Sequence, residues 1–392
     1  MKKSLRFLTL CLCISVLAPI AHMASGDDIN RTAAIERVEQ QFATAMVQSI
    51  DGLTEDDDYG FQRVMQHVTM RITSGAEKGK IFPYQNGILN GRDDMKLTVG
   101  EKVIVTKNIK SDGSSLYLIQ EKYRLPSVVW LTILFVVITI VFGGITGITS
   151  LLGLVASILV MVIYVIPQII SGGSPLQICL VGAALIACTS LYLAHGFNKR
   201  TSVALLSTII TLAASALMAI FYVYVAKLFG MGSEESVYMQ SGALQNVDLR
   251  GLLLGGIIIG CLGVLDDVTT AQCATIDEIS KANPSLTSLQ LRKAGFSVGK
   301  EHIASLINTL ALAYAGASLP LLLLFKTQAS YPLWVTLNSE FLSEEIVRTL
   351  VGSATLVLAV PISTFFASRL LKADRHAKPI VSTGAHHHGH SH

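Results

Sequence analysis

From residue 126 to residue 371 the chain is a succession of apolar runs of roughly membrane-spanning length, and this pattern restricts the fold more than any motif does. A bilayer offers no water to backbone amides and carbonyls, so each run must close its hydrogen bonds internally, as a helix. Seven helices are expected, at about 126–142, 147–170, 175–194, 202–228, 249–268, 303–325 and 349–371. The composition agrees, with 51% hydrophobic and 15% charged residues and a mean hydropathy of +0.54. An integral membrane protein is the class implied, with the lipid bilayer as its first partner. A net charge of +3 gives no argument for nucleic acid.

Basic residues set the expected orientation. Lys199 and Arg200 fall between the third and fourth helices; Lys281, Arg292, Lys293 and Lys300 fall between the fifth and sixth; Arg369, Lys372, Arg375 and Lys378 follow the seventh. The other loops hold few cations: Lys227, Arg250, Lys326 and Arg348, all close to helix ends. The positive-inside rule makes the first group cytoplasmic, so the C-terminus is expected inside and the polar N-terminal region outside. The start of the chain agrees. Lys2, Lys3 and Arg6 precede an apolar run from Phe7 to Ile20, then Ala24, Ser25 and Gly26, which reads as a signal peptide or signal anchor over residues 1–25.

Residues 26–124 form the expected extracytoplasmic domain. Residues 29–50 have helix-compatible composition, and 51–58 is an acidic stretch expected to be flexible. Short β-prone runs follow at 64–72, 96–98, 103–107 and 116–121, with turn signals at Ser74-Gly75, Asn86-Gly87, Asn90-Gly91 and Asp112-Gly113. A small, barrel-like β domain is expected. It carries no nucleophile and base arrangement, so it reads as a structural cap or a platform for an envelope protein. The six cysteines, at 11, 13, 179, 188, 261 and 273, give neither a disulfide framework nor a zinc spacing.

The membrane region holds the candidate site. The apolar run from Gly251 to Leu265 covers about 22 Å as a helix, short of the roughly 30 Å hydrocarbon core. Asp266 and Asp267 are therefore expected at the end of the fifth helix, in or at the edge of the bilayer. An ionisable group at that depth costs at least about 2.5 kcal/mol and calls for a partner. On the expected topology the sixth helix starts on the same side with Lys300, Glu301 and His302, and its helical spacing adds Ser305, Asn308 and Thr309 to a polar stripe. His195 joins from the loop after the third helix, and Pro361-Ile-Ser-Thr364 interrupts the seventh. Asp266, Asp267, His302, Glu301, Ser305 and Asn308 are the candidate proton or ion ligands. A divalent cation is the candidate cofactor at Asp266, Asp267 and His302. Lys300, His195, Thr270, Gln272 and Pro361 are candidate gating or supporting residues. The competing reading is an interhelical hydrogen-bond network that fixes packing. Gly251 with Gly255, and Gly256 with Gly260, repeat at four-residue spacing and read as packing sites.

Leu262-Gly-Val-Leu-Asp-Asp-Val-Thr-Thr-Ala-Gln272, Gly299-Lys-Glu-His-Ile-Ala-Ser305, Asn308-Thr-Leu310 and Ala313-Tyr-Ala-Gly-Ala-Ser-Leu-Pro-Leu-Leu-Leu-Leu324 together resemble the YibE/F-like family of bacterial multi-spanning membrane proteins. Leu193-Ala-His-Gly-Phe197 and Glu345-Ile-Val-Arg-Thr-Leu-Val-Gly352 fit the same pattern. The family usually shows Gly-Arg-Asp-His where this chain has Gly299-Lys300-Glu301-His302. Charge sign is kept, but Lys lacks the planar fork of Arg. The resemblance implies a bacterial inner-membrane architecture and leaves the chemistry to the residues.

The expected fold is a polytopic all-α membrane protein of about seven transmembrane helices with a small β-rich extracytoplasmic N-terminal domain. Its segments are 1–25, 26–124, 125–372 and a cytoplasmic histidine-rich tail over 373–392. In that tail His386, His387, His388, His390 and His392 can capture soft divalent metals, or it is a tag or a tail without a specific role. A Walker motif, a G-x-S-x-G elbow and an H-E-x-x-H helix are absent, so ATP-driven pumping and serine or zinc hydrolysis find no motif support. An ion- or proton-coupled permease is the leading expectation. A non-transporting scaffold that presents its outer domain to an envelope partner is the alternative. An intramembrane enzyme using both aspartates is a third class, weakened because adjacent helical residues point about 100° apart.

Overall fold

A computed structural model describes residues 41–58, 61–89, 96–109, 115–242, 244–327 and 332–372. The expected signal segment and the tail histidines lie outside these residues. The chain divides into two compact units, one running to Ile138 and the other from Thr139 onward.

Among the described residues the first unit holds five antiparallel strands, β1 (Gln41–Asp58), β2 (Phe61–Ile72), β3 (Ile81–Leu89), β4 (Lys102–Ile109) and β5 (Ser115–Lys122), in the order β3-β2-β1-β4-β5. Period-two alternation sends Ala45 and Val47, Val68, Met70 and Ile72, and Val103 and Val105 to one face, where they pack with Phe82, Leu97 and Tyr117. The helix-compatible reading of 29–50, in its described part 41–50, and the flexible stretch expected at 51–58 are corrected: β1 occupies 41–58. Its Ala, Met and Gln suit a helix locally, but pairing with β2 on one side and β4 on the other decides the outcome. Asp51 is held in that strand by the hydroxyls of Ser49 (2.8 Å) and Thr69 (2.9 Å).

β3 was not expected, because Asn86-Gly87 reads as a turn yet lies within the strand, opposite Gln66 and Met65. Residues 96–98 form no strand. The buried Gln66 amide instead imitates a strand partner, donating to the Leu97 carbonyl and accepting from its amide, both at 2.9 Å.

The second unit is helical. Its elements are α1 (Leu125–Ile170, which begins in the first unit), α2 (Pro175–His195), α3 (Lys199–Val225), α4 (Glu234–Ser241), α5 (Leu249–Ala282), α6 (Ser288–Ala317), α7 (Leu319–Thr327), α8 (Leu333–Leu337) and α9 (Glu340–Leu370). Among the described residues, α1, α2, α3, α5 and α9 are long and apolar enough to cross a membrane. This is five helices where about seven were expected. The first two expected helices are the two arms of α1, broken at Gly144, whose backbone (φ 55°, ψ −135°) is not helical. The chain turns there tightly enough that a Cβ on Gly147 would lie 2.3 Å from the Thr139 carbonyl oxygen.

The expected sixth helix begins 15 residues early, at Ser288, where Thr287 and Gln290 form a capping box. Arg292, Lys293, Lys300 and Glu301 then lie within α6, which makes it too polar to count as a span by composition. The seventh is not interrupted at Pro361; α9 is continuous from Glu340 to Leu370.

α5 lies at the centre of this unit. Leu262, Leu265 and Val268 of α5 share one core with Ala183 of α2, Leu212 of α3, Leu310 of α6 and Leu356 of α9. Two glycines set close approaches. A Cβ on Gly255 would lie 2.4 Å from Cys179 Sγ of α2, and one on Gly299 of α6 would lie 2.4 Å from Val360 of α9.

Candidate functional site

The fifth helix does not end at the aspartates, as its apolar run implied. α5 continues for 34 residues, about 51 Å, and Asp266 sits near its midpoint. Its second half holds together because Cys273 and Ile276 are buried among residues of α3, α6 and α9. The helix is regular through both aspartates, so the two side chains diverge. Asp266 turns inward, and Asp267 is exposed.

Asp266 Oδ2 accepts a 2.8 Å hydrogen bond from Ser190 Oγ of α2. Its Oδ1 is buried and has no hydrogen-bond partner. Ser190 is in turn backed by α1, where a Cβ on Gly153 would stand 3.4 Å from the Ser190 carbonyl oxygen. Above and below this bond, other polar groups line α5 and are all paired. Thr269 meets Thr208 of α3 at 2.7 Å. Gln272 donates to the Gly295 carbonyl of α6 and to Thr364 of α9, both at 2.8 Å. On the other side, Thr355 of α9 donates to Ser215 of α3 at 2.8 Å. These bonds form an interhelical network. The Asp266 Oδ1 atom is the one place along α5 where that network is left open among the described residues.

The other expected site residues are placed as follows. Gln272 is a buried bridge between three helices. Thr270 bonds back to the carbonyls of Asp266 (2.8 Å) and Asp267 (3.1 Å) within its own helix. His195 ends α2, exposed, within electrostatic reach of Arg200 and Asp267. Pro361 is exposed on α9.

On α6, Lys300 stacks 5.5 Å over the Phe296 ring, while Glu301, His302, Ser305, Asn308 and Thr309 are exposed. No hydrogen bond or ion pair among the described residues joins His302 to either aspartate. Nor does any group of three or more His, Cys, Asp and Glu residues gather there as a metal ligand set. The expected trio of Asp266, Asp267 and His302 is thus not assembled; Asp266 is brought together with Ser190 instead.

A second polar layer escaped the sequence reading. At the start of α9, Glu340 accepts from the Phe229 amide (2.6 Å) and the buried Glu344 from the Gly232 amide (3.0 Å). Glu345 pairs with Arg348 at 2.5 Å and accepts from Ser318 at 3.2 Å. Arg250 donates to the Leu228 carbonyl (2.8 Å) between the rings of Tyr224 and Phe229. The cluster of acids at 340, 344 and 345 was the available signal, since three carboxylates at the head of an apolar helix need donors. Ser190 gave no signal, lying in an uncharged helix among small residues.

Comparison with curated proteins and with solved structures returns no match. The family model for YibE/F-like protein matches residues 131–373, which is more than half of the chain and includes α2, α3, α5, α6, α9 and the Asp266 site. On that match, the chain belongs to the YibE/F-like family.

Proposed function

We propose that this chain is a multi-pass inner-membrane permease, coupled to a proton or a cation, and that Asp266 is the responsive group. The observation that carries the reading is the half-satisfied carboxylate: one oxygen bonded to Ser190, the other buried without a partner, at the centre of the helix on which the bundle packs. A buried polar atom left open costs free energy that a proton or a bound cation on Oδ1 relieves. A ligand that relieves it favours whichever helix arrangement keeps the site closed, and so shifts the population toward that arrangement. Because Ser190 links the carboxylate to α2, and α2 leans on α1 at Gly153, occupancy of Asp266 bears on how α2 and α5 sit together. His195 and Asp267 lie outward of this core and would act in ion entry. By the positive-inside pattern, the C-terminus faces the cytoplasm and the β unit the outside.

The test is thermal stability of the purified protein in detergent, across pH and a panel of divalent cations, for the wild type and Asp266→Asn, both ending at Lys372 so that the histidine tail adds no metal site. An upward shift for one ion or pH range that the variant loses supports the reading and names the ligand. Identical profiles for the two proteins would overturn it, and would turn attention to a scaffold role and to envelope partners of the β unit.

A further inference from the structure

Between α3 and α4 the chain forms a strap, residues 227–233, across the end of the bundle where α3 finishes and α5 and α9 begin. It is fastened on both sides. On the α9 side, Glu340 Oε1 accepts from the amides of Phe229 (2.6 Å) and Met231 (3.4 Å), and Glu344 Oε1 accepts from that of Gly232 (3.0 Å). Glu344 is only 4% exposed, and the strap lies so close over its carboxyl that a Cβ on Gly232 would stand 2.5 Å from Cδ. On the α5 side, Arg250 Nε donates to the Leu228 carbonyl at 2.8 Å, and a Cβ on Gly230 would lie 2.2 Å from the Leu249 carbonyl oxygen. To make these contacts the backbone takes positive φ at Gly230 (83°) and at Lys227 (53°), a region that residues with a Cβ seldom enter. Such a conformation persists only where surrounding contacts impose it.

The strap also carries a plug. Leu228 is 2% exposed and packs in one cluster with Val223 of α3, Leu254, Ile257 and Cys261 of α5, and Val351 of α9. Beneath this apolar layer, beside the Cys261 thiol, the buried Thr355 and Ser215 hydroxyls bond to each other. Asp266 follows five residues, about 7.5 Å, beyond Cys261 along α5. A short surface segment held by a few polar bonds can open while the helices beneath it stay folded. We propose that residues 227–233 are the outer gate of the permease: Glu340 and Glu344 latch the strap, Leu228 closes the seam between α3, α5 and α9, and release of the latch opens that seam toward Asp266. The structure is then the outer-closed state. Opening exchanges the amide–carboxylate bonds for bonds to water and frees the Lys227 backbone, while the burial of Leu228 favours the closed form. The inference rests on the permease reading and its orientation, yet it is read from thiols and amides rather than from ion binding. A strap that stays shut and an Asp266 that binds nothing are therefore separate results.

The test is the rate at which a charged methanethiosulfonate modifies thiols of the full chain in detergent, with each cysteine read separately by mass spectrometry. Leu228→Cys reports on the strap, native Cys261 on the seam beneath it, and native Cys273, buried in the second half of α5, on general loosening of the bundle. In the Leu228→Cys background, adding Glu340→Gln and Glu344→Gln exchanges charged acceptors for neutral ones. This is expected to speed modification of the introduced thiol and of Cys261 by about tenfold and to leave Cys273 unchanged. No change at the introduced thiol, or a change there that does not reach Cys261, would overturn the gate. A rise at Cys273 equal to that at Cys261 would overturn it too, by showing a loosened bundle. The wild type supplies a second measurement, independent of whether the variants fold. By hydrogen exchange, the amides of Phe229, Met231 and Gly232 are expected to open together, and faster than those of Ala219 and Ile257 in the helices beneath. Strap amides that exchange as slowly as those helices would overturn the proposal.

Discussion

Gly255 and Gly256 are neighbours on α5 that predict opposite responses to one added methyl group. Gly255 is buried against α2, where a new Cβ would lie 2.4 Å from Cys179 Sγ and 2.9 Å from Cys179 Cβ. Rotating the cysteine relieves the first contact but not the second, since Cβ is fixed to the backbone, so α2 itself must give way. Overpacking of this kind costs about 1–3 kcal/mol, and the helical preference of Ala over Gly returns up to about 1 kcal/mol. Gly255→Ala is therefore expected to destabilise by about 1–2 kcal/mol. Gly256 is exposed with nothing within 4 Å of its would-be Cβ, so Gly256→Ala should be neutral or stabilising by up to about 1 kcal/mol. Unfolding of both variants in a single detergent, followed by circular dichroism at the helical band, measures the difference. If Gly255→Ala is as stable as Gly256→Ala, the α2–α5 contact is not as close as stated, and the positioning of Ser190 against Asp266 by that contact falls with it.

Gln272→Leu should cost about 1 kcal/mol, from two interhelical bonds of about 0.6 kcal/mol each, and thermal unfolding that matches the wild type would refute the three-helix bridge. In the β unit, the Tyr117 hydroxyl, Lys107 and Lys80 hold the Glu77 carboxyl down to about 2 from its ordinary 4.5, with Tyr117 the largest influence. A depressed carboxyl pKa contributes stability that is complete above pH about 4.5 and is lost as pH falls toward 2. Because the group is partly exposed, the effect is at most about 1 kcal/mol. Protection of the Ile72 and Gly79 amides, which close the adjacent turn, should therefore fall across that window in the wild type and stay flat in Glu77→Gln. Equal profiles would show that Glu77 does not hold the turn.

Hydropathy located the five helices long and apolar enough to span, since an apolar run in a bilayer has few structural options, and the gap expected between the first two runs contains the break at Gly144. Helix ends were less legible. The polar second half of α5 and first half of α6 lack an apolar run, yet both are helical because Cys273, Ile276, Leu291, Gly295 and Gly299 meet across the gap, which is a tertiary fact. The glycine repeat was half legible: Gly251 and Gly255 lie against Pro175 and Cys179, Gly260 lies under the Tyr314 hydroxyl, and Gly256 packs against nothing within 4 Å. At the site, the carboxylate could be read because a charge in an apolar run is costly. Its serine partner could not, because a hydroxyl in a membrane helix can always bond its own backbone, as Thr189 does beside Ser190.

The measurement that bears most directly on Asp266 is infrared difference spectroscopy of the protein in lipid, recorded over a pH titration and on addition of whichever cation the thermal screen selects. If Asp266 takes up the proton or the ion, the wild type should show a carboxyl band that changes with that ligand and is missing from Asp266→Asn, while Ser190→Ala should keep the band and shift its frequency. Superimposable difference spectra for the wild type and Asp266→Asn over the whole titration would show that the open oxygen binds nothing, and the transport reading would have no site.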